Sequence, residues 1–180
     1  MAQVLYEQDG SWVAGRLSGR RYELHRGPIE LRSAATRDTG AASAPHDATL
    51  VRGGAPGAGG AWILLLHTHG AVRINGEPVP TGIWALRHRD EIRLDDERCF
   101  FSAEREAVVE TYRGTDEPRC PRCAVAIQQG EECVRCPAAG CGVLHHQRAG
   151  RECWTHTPKC GLCDQRTELG AGWSWSPEDL

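Results

Sequence analysis

The chain has 180 residues, of which 40% are apolar but only two are Phe and one is Met, so it has room for one or two small domains with modest cores. Its formal net charge of −3 gives no bulk attraction to nucleic acid or to an anionic membrane. The longest dense apolar run, residues 61–66, is far too short to span a bilayer, and the N-terminus has no signal-peptide pattern, so the expectation is a cytoplasmic protein with protein partners, no nucleic acid and no membrane.

Residues 4–31 contain short alternating segments such as Arg21-Tyr22-Glu23-Leu24-His25, broken by glycines, which predict brief antiparallel strands. From 33 to 60 the composition falls to Ala, Gly, Thr, Ser and Pro, which predicts a flexible loop. Strand signals return at 62–66 and 71–74, followed by Asn75-Gly76, a dipeptide suited to the positive φ values of a hairpin turn. Two more strands follow at 89–94 and 98–102, separated by the acidic turn Asp95-Asp96-Glu97. Together these predict a β-sandwich over residues 1–110, with 104–110 as either a last strand or a short helix. Within it, Cys99 beside Phe100 and Phe101 reads as a small buried hydrophobe, and His67, Thr68 and His69 as an ordinary strand end rather than a metal site.

A polar linker at 111–117 precedes a cysteine-rich module at 118–167 and a tail at 168–180. Trp173 and Trp175 share one face of the tail if it is extended; the reading is a segment folded back over the module, with a short docking motif as the alternative. Eight of the nine cysteines fall between residues 120 and 163. An odd total and the pairs Cys120-Pro121-Arg122-Cys123 and Cys160-Gly161-Leu162-Cys163 argue for metal binding over a disulfide scaffold. Each such pair turns two thiolates toward one ion and supplies half a tetrahedron.

Cys120, Cys123, Cys136, Cys141, His146, Cys153, Cys160 and Cys163 provide eight ligands. Two tetrahedral sites with no open position follow, the pattern of two structural zinc ions rather than a catalytic one. Spacing alone leaves the pairing open, and a sequential ribbon of Cys120, Cys123, Cys133 and Cys136 is an alternative. No catalytic constellation of Ser, His and Asp, no phosphate-cradling glycine loop and no paired-carboxylate motif stands out.

Ile127, Gly130-Glu131, Cys136-Pro137, Cys141-Gly142, His145-His146 and Arg151-Glu152-Cys153-Trp154 make residues 118–166 resemble the prokaryotic RING-finger families, related to RING and PHD fingers. The resemblance implies a cross-brace: Cys120, Cys123, His146 and Cys153 at one ion, and Cys136, Cys141, Cys160 and Cys163 at the other. His145 becomes a neighbour, residues 147–150 an insertion, and Cys133 an additional thiol. The implied partner contacts are Ile127, Trp154, Leu162, which stands where a proline is common, and Arg166, three residues past the last ligand.

Ser43-Ala44-Pro45-His46, Trp62-Ile63-Leu64-Leu65, Asn75-Gly76 and Asp90-Glu91-Ile92 fall in an order similar to forkhead-associated (FHA) domains. That likeness implies a β-sandwich and, at Ser43, His46 and Asn75, contacts to a phosphopeptide. The two resemblances together imply an adaptor-type E3 ligase of a ubiquitin-like conjugation pathway, recruiting a conjugating enzyme to a target protein, in a bacterial setting suggested by the Ala-, Gly- and Arg-rich composition. The rival from another class is a non-enzymatic scaffold with a structural zinc finger.

Overall fold

Fourteen short strands and one 3-10 turn, Pro177–Asp179, make up the regular structure in the computed structural model, which describes residues 2–25, 30–33, 47–53, 60–67, 72–80 and 82–179. These residues divide into two compact units, Met1–Ser102 together with Trp175–Leu180, and Ala103–Ser174. The expectation of a loop over 33–60 is corrected where that span is described: Ala48–Arg52 is a strand in the middle of a sheet, with Ala48 and Leu50 buried because its side chains alternate into the core, while residues 34–46 and 54–59 lie outside the described residues.

The first unit contains, in chain order, β1 (Ala2–Gln8), β2 (Ser11–Leu17), β3 (Arg21–His25), β4 (Glu30–Ser33), β5 (Ala48–Arg52), β6 (Trp62–Leu66), β7 (Val72–Ile74), β8 (Glu77–Pro78), β9 (Ile83–Leu86), β10 (Glu91–Leu94) and β11 (Glu97–Ser102). They form a six-stranded sheet, β2-β1-β11-β10-β7-β8, and a five-stranded sheet, β4-β3-β5-β6-β9. Every pairing is antiparallel. Two of the hairpins close through dipeptides with both φ values positive, Asp9-Gly10 (51° and 75°) and Asn75-Gly76 (52° and 83°), the backbone that matches the twist of flanking strands.

Because side chains alternate along a strand, each sheet turns one apolar row inward. Val4, Leu17, Val72, Ile74, Ile92, Leu94, Cys99 and Phe101 from the larger sheet, and Tyr22, Leu24, Ala48, Leu50, Trp62 and Leu64 from the smaller, are all buried. Phe101 meets Trp62 at 6.5 Å between ring centroids and Trp62 meets Tyr22 at 6.1 Å, so the core lies between the sheets. Gly15 on β2 permits this approach, because a Cβ there would lie 2.9 Å from Cδ2 of Leu31. Asp90 staples the lower strands: its carboxylate accepts from Asn75 Nδ2 (2.9 Å), Trp84 Nε1 (3.2 Å) and the Arg87 amide (2.8 Å).

The outer face of the six-stranded sheet carries a smaller apolar cluster of Leu5, Phe100 and Trp175, with Trp12 packed against it. Trp175 stands edge-on to Phe100 at 5.8 Å and to His88 at 5.6 Å. The tail expectation is corrected here: Trp175 covers apolar surface of the sandwich unit rather than of the cysteine-rich one, its indole packing on Leu5 and Phe100 of β1 and β11.

The second unit is built on a three-stranded sheet of β12 (Val109–Thr111), β13 (Glu132–Arg135) and β14 (Leu144–His146) in that order. The 104–110 segment is thus extended, not helical. Around the sheet a hairpin occurs twice, offset by 40 residues. Pro118-Arg119-Cys120 and Pro158-Lys159-Cys160 each begin a Cys-x-x-Cys turn, closed by Cys120 N to Val125 O (3.0 Å) and Cys160 N to Gln165 O (2.8 Å). Ile127 N then reaches Pro118 O, and Thr167 N reaches Pro158 O. Gly130 (φ 91°) and Gly170 (φ 80°) end the two copies, donating to Tyr112 O and Ala107 O respectively, each at 2.8 Å.

Candidate metal centres

The two hairpins place Cys120 with Cys123 and Cys160 with Cys163, while Cys136 follows β13, His146 ends β14 and Cys153 begins a turn beyond it. The fold gathers these into two groups, Cys120, Cys123, His146 and Cys153, and Cys136, Cys141, Cys160 and Cys163, with donor atoms in each group within 4.8 Å of one another. The first pair in sequence therefore joins the third, and the second joins the fourth.

Edge lengths test whether a metal fits. Four thiolates at about 2.3 Å from a tetrahedral ion stand about 3.8 Å apart, and a sulfur and an imidazole nitrogen about 3.5 Å. Cys136 and Cys163 Sγ are 3.5 Å apart, Cys141 and Cys160 Sγ 4.0 Å, and Cys123 Sγ and His146 Nδ1 3.4 Å. These are coordination edges, well beyond the roughly 2.0 Å of a disulfide, and all nine cysteines are free thiols. Both groups could hold a metal ion, and three sulfurs with one nitrogen or four sulfurs are donor sets compatible with zinc.

The leading cysteine of each hairpin is primed for ligation. Burial opposes ionisation of Cys120, but the backbone N–H groups of Cys123, His146 and Arg122 outweigh it and bring the thiol down to about 7. Burial likewise opposes ionisation of Cys160, yet the Leu162 and Cys163 amides pull it below its ordinary value, with Leu162 N 3.5 Å from the sulfur. Burial pushes Cys153 up to about 12 and Cys136 well above the usual thiol range. A coordinated divalent cation deprotonates such thiols outright.

His146 is oriented from behind. With Nδ1 turned to Cys123, Nε2 lies 3.3 Å from the Ala126 carbonyl, to which its N–H donates, and 3.5 Å from the Glu131 carboxylate beside it, and these neighbours fix the ligating nitrogen. Glu131 is held below the usual carboxylate range by the Gln128 amide at 3.0 Å and, after the opposing effect of burial, by the nearby Arg148 charge. Spacing does not reveal Glu131, because a charged neighbour behind a ligand can come from any element. Glu131→Gln is expected to weaken metal binding at the first group about 10- to 100-fold, with the four-cysteine group unchanged, as read by competition with a chromogenic chelator.

His145 is buried but faces elsewhere. Its Nε2 accepts from the Gly161 amide at 3.2 Å and lies 3.8 Å from Cys160 Sγ, while burial, aided by the Arg122 charge, lowers it to about 4 and keeps it neutral. Space at Gly161 is tight, since a Cβ would lie 3.0 Å from Pro121 Cγ. Cys133 joins neither group: its sulfur points to the Glu110 carbonyl at 3.5 Å, and burial raises it to about 11. The sequential ribbon is therefore not the arrangement formed.

Among the implied partner contacts, the structure separates two pairs. Ile127 and Trp154 are both fully buried, which corrects the expectation that they meet a partner; they pack the interior of the unit. Leu162 is 68% exposed and Val125 41%, and Arg166 is also exposed. Asn75 has both ends of its amide engaged, donating to Asp90 and accepting from the Glu91 amide at 2.9 Å. Ser43 and His46 lie outside the described residues, as do Thr68 and His69. His67 Nε2 pairs with Thr49 Oγ1 at 2.8 Å. Cys99 is fully buried and pushed up to about 12, first by burial and then by the Glu91 charge.

Among the described residues no helix is long and apolar enough to cross a membrane. The chain matches no protein-family model, no curated protein and no solved structure.

Proposed function

We propose that the chain is a zinc-binding, RING-like adaptor ligase of a ubiquitin-like conjugation pathway, whose cross-braced module grips a charged conjugating enzyme while an FHA-like sandwich selects the target. The observation that carries this reading is the interleaving of two saturated four-ligand groups. With no coordination position left for substrate, such sites organise a surface rather than perform chemistry. Two zinc ions would fix the hairpins, and rate would come from orienting a thioester for attack, with no covalent intermediate on this chain. Leu162 and Arg166, joined by Val125, are the contacts available on the surface.

The test is discharge of a thioester-loaded conjugating enzyme to free lysine. Acceleration by the wild-type protein, reduced about tenfold by Leu162→Ala through lost affinity, is the expected result. Absence of acceleration across a panel of conjugating enzymes would remove the ligase reading. A second reading, a non-enzymatic scaffold, is favoured by the burial of Ile127 and Trp154, which leaves fewer apolar contacts for a conjugating enzyme. In that case Leu162 and Val125 serve a partner without any effect on discharge.

A further inference from the structure

The outer face of the six-stranded sheet collects residues that are far apart in sequence. Register sets Arg73, Arg93 and Arg98 directly opposite one another on β7, β10 and β11, and all three are exposed. Directly opposed residues in a sheet stand about 5 Å apart, and like charges so placed repel. Glu91 receives one bond from Arg93 at 2.9 Å, and Arg73 donates to the Gly76 carbonyl at 3.0 Å. The row retains uncommitted guanidinium donors.

Aromatic rings adjoin it. The Arg98 guanidinium lies over Trp12, 5.5 Å from the ring centroid, and over Phe100 at 6.0 Å. Trp12 and Phe100 pack edge-on at 5.5 Å, and Arg89 lies over Trp175 at 5.5 Å. By alternation Glu7, Glu91 and Arg16 share this face, and the acidic turn at Asp95-Asp96, joining β10 to β11, flanks the row beside Arg93 and Arg98. On a chain of net charge −3, this face is a local exception.

We propose that this sheet face binds single-stranded nucleic acid, its phosphates on the Arg73, Arg93 and Arg98 row and a base stacked on Trp12. Phe100 and Trp175 are themselves buried, so the half-buried Trp12 is the ring beside the arginines, a pairing that suits a flexible strand presenting phosphates and flat bases together. An acidic peptide would use the arginines and leave the indole idle. The site is absent from the sequence pattern because β7, β10 and β11 bring its three cations together only through pairing.

The test uses the full-length, metal-loaded protein and a fluorescein-labelled twelve-nucleotide oligothymidylate, followed by anisotropy. Micromolar binding at low salt is expected, weakening about a hundredfold per tenfold rise in salt if three phosphates are neutralised. The combined Arg73→Gln, Arg93→Gln and Arg98→Gln variant, altered only at exposed positions, is expected to lose at least about thirtyfold and to flatten that salt slope. Trp12→Ala is expected to lose about tenfold. No binding at low salt, or equal binding by the arginine variant, overturns the proposal. Equally effective competition by an oligoglutamate peptide of the same length also overturns it and reassigns the face to acidic peptides.

Discussion

Purified under reducing conditions, the chain is expected to carry two zinc equivalents and to lose the fold of its Ala103–Ser174 unit when a strong chelator removes them. The unit's three strands are each only three or four residues long, and its two small core clusters each include ligand cysteines, Cys120 and Cys153 in one and Cys136 and Cys160 in the other. Structural zinc contributes on the order of 10 kcal/mol to folding such a module, more than a core of this size supplies. The sandwich unit, with its own core between two sheets, is expected to stay folded, so chelation should give partial rather than complete loss of β-structure by circular dichroism. Metal analysis distinguishes the residues: Cys120→Ser and Cys160→Ser each reduce the zinc count, whereas Cys133→Ser retains two equivalents because its sulfur faces the Glu110 carbonyl. One equivalent in Cys133→Ser would sink the ligand assignment.

Trp154→Ala is expected to destabilise the metal-loaded second unit by about 3–5 kcal/mol, the usual result of emptying a buried aromatic site. The indole is wholly buried against Ala107, Val134, Cys136 and Cys160 and stands edge-on to His145 at 5.1 Å. Its own amide bonds to the His146 carbonyl at 3.1 Å, so the ring is braced by a ligand of the first group and packs on ligands of the second. Leu162→Ala, at a 68% exposed position, should change stability by no more than about 0.5 kcal/mol. Denaturant midpoints of the two variants, measured with zinc bound, check the contrast. A Trp154→Ala midpoint equal to that of wild type would mean that the ring is not part of the core.

Ligand types and turns are properties of a few adjacent residues, which is why they are legible in sequence. Cys120-Pro121-Arg122-Cys123 announces half a metal site, and Asn75-Gly76 announces a tight turn, because thiolate convergence and positive φ are local requirements. Strand alternation similarly marks Ile92, Leu94, Cys99 and Phe101 as inward-facing residues without showing which strands are neighbours. Pairing of β1 with β11, or of β6 with β9, depends on distant segments competing for the same edges. The role of Glu131 and the arginine row were hidden for this reason.

The recurrence of Pro-Arg-Cys-x-x-Cys and Pro-Lys-Cys-x-x-Cys forty residues apart is visible in the letters. Its meaning emerges only when both copies make the same backbone bonds to the segment around β12. In sequence, Ile127 reads as a contact and Trp154 equally as a contact or as core, because an apolar residue in a small zinc module serves either way, and only burial decides between them.

The interleaving of the ligand groups also sets an order of events during synthesis. Neither complete donor set lies within a short stretch, so a nascent chain cannot close its first centre until Cys153 has emerged from the ribosome, or its second until Cys163 has. Until then the leading thiols wait, exposed to oxidants and to rival metals, and yield should depend on how reducing and how zinc-replete the surroundings are while residues 120–163 are being made.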